Sequence, residues 1–116
     1  MTKIKDEKMA LALFESAAIE HARSSENSDY KRANSNHDVI VKAMAFLKNR
    51  GEVKLLSKFL SHDSEGVRVW AAAYLLPIRE ENAVKVLEAI ADGPRGLQRL
   101  NAATTLSEWR KGNLKL

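Results

Sequence analysis

Two aromatic side chains, Trp70 and Tyr74, stand four residues apart, a spacing that sets both on one face of a helix. Rings of this kind dominate many protein interfaces, and they serve equally well packed against a neighbouring helix. Asn34 and Asp38 share the same spacing, with Tyr30 and His37 flanking them, and can hydrogen-bond each other, a partner or solvent. Groupings fit for catalysis are harder to find. His21, His37 and His62 lie on separate predicted elements with no His-x-x-x-His spacing to aim two imidazoles at one metal ion. The carboxylate pairs Asp6-Glu7 and Glu80-Glu81 fall at helix starts, where capping and the helix dipole account for them. Gly93-Pro94-Arg95-Gly96 is too short for a phosphate loop and lacks its Lys-Ser/Thr. The absence of cysteine excludes disulfides, thiolate zinc sites and a thiol nucleophile. The expectation is therefore a binding protein, not an enzyme, with no cofactor and no metal.

Helices must position these residues, because 5 Gly and 2 Pro leave little material for the many turns of a β protein. Met9, Ala10, Leu13, Phe14 and Ala17, with a second row at Leu11, Ala18, Ile19 and Ala22, predict a first helix over 6–24 that is apolar around most of its circumference. A polar turn at 24–28 leads to a second helix over 29–49 with Ile40, Ala43, Met44 and Leu47 as its core row, closed by Gly51. A third helix is expected over 52–60. A fourth, over 65–76, is capped by Asp63 or Ser64 and stopped at Pro77. Glu80, Glu81 and Asn82 open a fifth, which ends at Asp92-Gly93-Pro94. The sixth carries Leu97, Leu100, Ala103 and Leu106 through to Trp109, before Gly112.

Charge is unevenly spread. Residues 95–116 hold Arg95, Arg99, Arg110, Lys111 and Lys115 against Glu108 alone, which accounts for the whole net charge of +4. The charged start, Met1 to Lys8, and the acids Glu15 and Glu20 do not read as a signal peptide, and no apolar run is long enough to span a membrane. One 116-residue domain in the cytoplasm is the expectation.

Sliding the chain on itself by 31 residues superposes Leu56 on Leu87, Arg68 on Arg99, Ala71 on Ala102, Ala72 on Ala103 and Leu75 on Leu106, with Val69 near Leu100. A period of this size, made of two helices, marks a solenoid. The unit from Leu55 through Asp63, Val67-Arg68 and Ala71-Ala72 to Leu75 resembles a HEAT repeat. More of the chain is involved in a second likeness. Asp29-Tyr30, Ala33-Asn34, Asp38, the run 67–73, and Thr105-Leu106 with 108–112 look like a family of small bacterial HEAT-like proteins classed as a domain of unknown function.

The resemblance implies an all-α, right-handed stack of about three helical hairpins of the HEAT/armadillo type. It also implies a role as an immunity protein that neutralises a bacterial toxin. In such packing Arg68 and Arg99 reach an acid or a carbonyl in the turn of the next hairpin, and solenoids bind on a concave surface. If Val67, Ala71 and Leu75 face inward, that surface carries Trp70 and Tyr74, and the repeat continues it to Asn101 and Thr105. The candidate partner-binding residues are thus Tyr30, Asn34, His37, Asp38, Trp70, Tyr74, Asn101 and Thr105, on the second, fourth and sixth helices. Nucleic-acid binding by the basic last helix is the alternative, and self-association as a weak dimer stands beside a monomer.

Overall fold

The computed structural model describes residues 3–114, so Met1, Thr2 and the base at Lys115 lie outside the described residues. The fold is all-α: α1 (Glu7–Glu26), α2 (Tyr30–Asn49), a 3-10 helix over Val53–Ser61, α3 (Glu65–Leu75), a 3-10 turn over Leu76–Ile78, α4 (Glu81–Ala91) and α5 (Leu97–Arg110). No strand occurs among the described residues. The chain divides into two compact units, one up to Leu55 and the other from Leu56 on.

The first unit is an α1–α2 hairpin. Asp6 Oδ1 accepts the Met9 N–H at 2.8 Å and starts α1. The helix runs past the expected end at Ser24 to Glu26. It ends there because Ser28 turns left-handed, at φ 59°, while the Asp29 N–H returns to the Ser24 carbonyl. Ile40, Ala43, Met44 and Leu47 of α2 are buried, the row that the periodicity assigns; of the two rows on α1, Ala10, Leu11, Phe14, Ala17 and Ala18 are buried, while Met9, Leu13, Ile19 and Ala22 are only partly so. Gly51, at φ +67°, supplies the left-handed conformation that closes α2.

In the second unit α3 packs on α4 and α5, and α4 packs on α5. Ser64 rather than Asp63 is the cap of α3, its hydroxyl oxygen accepting the Val67 N–H at 3.3 Å. Pro77 does not simply stop the helix. The chain tightens into a 3-10 turn that accommodates the ring, then exits through Arg79 at φ 61°.

The third predicted helix forms as a 3-10 helix. Val53, Leu56 and Phe59 are its buried residues, spaced by three, and a 3-10 helix with three residues per turn aligns that spacing on one side. The 31-residue equivalence also holds in sequence but not in burial. Val69 and Ala72 are buried, whereas Leu100 and Ala103 are exposed, because α5 is followed by no further helix among the described residues.

Candidate functional site

The clearest candidate surface lies on α2. Asp29 caps the helix through Oδ1, which accepts the Arg32 N–H at 3.2 Å, and so fixes where the helical register begins. With Ile40, Ala43, Met44 and Leu47 turned inward, much of the remaining helix surface, flank included, is left to solvent. Tyr30, Asn34, His37 and Asp38 are all exposed there. Val41, one turn beyond His37, joins them. Tyr30 is 69% exposed and Val41 43%, large apolar surfaces in an otherwise polar row. Sequence reasoning overlooked Val41 because it adjoins Ile40 and reads as core; its place four residues after His37 and eleven after Tyr30 was the available signal.

The hairpin also joins two histidines that the sequence treats as separate. The His21 ring on α1 and the His37 ring on α2 have centroids 6.4 Å apart. Partial burial, and secondarily the nearness of His37, hold the His21 pKa below its ordinary value. Among the described residues no group of three or more His, Asp or Glu side chains could hold a metal ion. Elsewhere in the hairpin, Arg50 lies 4.5 Å over the Phe46 ring and 3.6 Å from Glu7, a contact that links the two helices.

Trp70 and Tyr74 do meet, stacked at 6.2 Å between ring centroids and 21° between planes. Their exposure differs, however. Trp70 is half-buried while Tyr74 is 4% exposed, and burial raises the pKa of its hydroxyl. The Tyr74 ring is thus part of the interior and presents almost no surface to a partner. The continuation onto α5 is also largely engaged within its own helix. Thr105 Oγ1 donates to the Asn101 carbonyl at 2.8 Å, and Asn101 Nδ2 donates to Gln98 Oε1 at 3.4 Å.

The repeat arginines depart from the expected turn contacts. Arg68 Nη2 lies 3.8 Å from Glu65 of its own helix, and its buried Nε has no hydrogen-bond partner. Arg99 Nε does find a carbonyl, that of Ala91 at 3.1 Å, but at the end of the preceding helix in its own hairpin. The 31-residue repeat conserves the residue type and not the contact, since Arg68 has Glu65 one turn earlier and Arg99 has Gly96 there.

Two open clefts of about 450 Å³ occur in the second unit. One is lined by Ser57, Leu60, Asn82, Lys85 and Val86. The other lies between α4 and α5 and is bridged by the Glu88–Arg110 ion pair at 3.2 Å. The charged residues that line them are exposed. No helix among the described residues is long and apolar enough to cross a membrane. No family model, no curated protein and no solved structure matches the chain.

Proposed function

We propose that this chain is a non-catalytic protein-binding module whose contact surface is the exposed side of α2. The observation that carries the reading is the pair Tyr30 and Val41, whose exposed apolar surface flanks Asn34, His37 and Asp38 on a capped helix held rigidly by its core row. Apolar anchors interspersed with polar groups on a rigid element are the usual composition of a binding patch. The sequence resemblance extends the reading to an immunity protein that covers a bacterial toxin. The exposed side of α2 mixes Lys31 with Asp38 rather than presenting an acidic field, so it favours a toxin that is not strongly basic.

Nucleic-acid binding by the last helix draws less support, because Arg99 and Arg110 are already engaged with the Ala91 carbonyl and the Glu88 carboxylate. The test is co-expression with the product of the adjacent gene, reading co-purification and host growth. A complex that restores growth and is weakened by Tyr30→Ala and Val41→Asp is the expected result. Rescue that both variants leave intact would move the surface elsewhere, and neither complex nor rescue would remove the immunity reading.

A further inference from the structure

We infer that His21 and His37 together bind one divalent transition-metal ion of the zinc or nickel kind, and that the ion clamps α1 to α2 beside the turn of the hairpin. The inference goes beyond the proposed function, because it calls for no partner protein. No local spacing in the chain supplies a His pair; the packing of the hairpin makes one. His21 lies one turn beyond Ala17 and Ala18 on α1, and His37 lies one turn after Ala33 and one before Ile40 on α2, all four neighbours being buried. Packed helices, not loops, therefore set the place of both rings, as a metal site requires of its ligands. Imidazole nitrogen suits zinc, nickel and copper, whereas magnesium and calcium take oxygen.

The two ring centroids are 6.4 Å apart. A tetrahedral zinc ion with Zn–N bonds of about 2.0–2.1 Å sets its two ligating rings roughly 5 Å apart, centroid to centroid. The pair needs to close by only about 1 Å, and the exposed His37 ring has room to turn toward the half-buried His21. Stacked rings would hold their in-plane lone pairs on parallel planes, out of reach of a common ion; these planes are tilted by 46° and cross. Two protein ligands are fewer than catalytic or structural zinc sites use, so water completes the coordination shell and the affinity is modest. Ser24 adds an independent sign. It lies one turn beyond His21 on the same side of α1. It is 3% exposed, and its Oγ has no hydrogen-bond partner among the described residues. A buried hydroxyl oxygen in that condition is costly, and a water on the ion supplies the donor that it lacks.

The experiment is a proton NMR titration of the whole chain with zinc chloride at neutral pH, with magnesium chloride as the control. The Hε1 signals of His21 and His37 are expected to move together with one dissociation constant. His62, whose Nδ1 accepts the Ser64 N–H at 2.9 Å, should respond only at higher zinc. His21→Gln and His37→Gln should each weaken binding about tenfold or more. His37 is exposed, so its variant spares the interior, and far-UV circular dichroism verifies that both stay folded. Ser24→Ala keeps both rings and should weaken binding by about threefold; unchanged affinity there overturns the part given to its hydroxyl. Zinc, and not magnesium, should also raise the melting temperature, because the ion binds the folded hairpin alone. Separate constants for His21 and His37, an equal response from His62, or unchanged affinity in either glutamine variant overturns the site. A melting temperature that zinc leaves unaltered does so too.

Discussion

Truncating Tyr74 separates interior from contact surface. The residue is 4% exposed, so Tyr74→Ala withdraws almost the whole phenol ring from the interior. The lost group covers roughly 150 Å², which at about 25 cal/mol per Å² is worth close to 4 kcal/mol. A compact unfolded ensemble reduces that by some 10–40%, while the cavity left beneath the Trp70 ring adds to the cost. The net expectation is a loss of about 3–4 kcal/mol. Urea denaturation followed by far-UV circular dichroism measures it. Tyr30→Ala, with an exposed ring, should stay within about 0.5 kcal/mol of the parent in the same assay. A Tyr74→Ala loss under about 1 kcal/mol would refute the placement of this ring in the interior. Any binding lost on replacing Tyr74 therefore reports weakened folding first, which makes Tyr30 the cleaner probe of the surface.

Burial raises the Tyr74 pKa, so its contribution is fully present below the ordinary value of 10.0 and declines as pH climbs through the raised folded value. Tyr74→Phe should flatten that alkaline loss of stability. For His21 the sign is reversed: the folded pKa lies below 6.5, so stability is intact above pH 6.5 and is lost as pH falls through the lowered value. Proton NMR titration should show His37→Ala moving the His21 pKa only part of the way back, since burial is the larger cause. Arg68→Met should change stability by less than about 1 kcal/mol, because Nε is already without a partner. Arg99→Met should cost about 0.5–1.5 kcal/mol through loss of the bond to the Ala91 carbonyl; urea midpoints compare the two, and a larger loss at Arg68 than at Arg99 would contradict the assignment.

The helices were legible wherever local chemistry decides them. Asp6, Asp29 and Ser64 are caps with short side chains that find a free N–H within one turn, and Gly51 is the residue for which a left-handed turn costs least. The apolar rows of α1 and α2 follow from their spacing alone. The 3-10 form over Val53–Ser61 was harder to recognise, because Leu55 and Leu60 obscure the threefold spacing of the residues that are buried. Side-chain destinations were the least legible. Whether Arg68 reaches another turn or Glu65 depends on contacts between elements, and residue type says nothing about them. The candidate surface was half legible: its polar residues on α2 were identified, while Val41 was hidden by its neighbour Ile40. Val67, Ala71 and Leu75 do face inward, but α3 is buried around most of its circumference and takes Tyr74 in with them.

The division at Leu55 and Leu56 has a spectroscopic corollary. Both tryptophans, Trp70 and Trp109, belong to the second unit, so indole emission observes only that part of the chain, whereas ellipticity at 222 nm weighs every helix. Denaturation profiles from the two signals that superimpose would mean the units melt as one cooperative body; profiles that separate would mean the α1–α2 hairpin has a transition of its own, to which the indoles are blind.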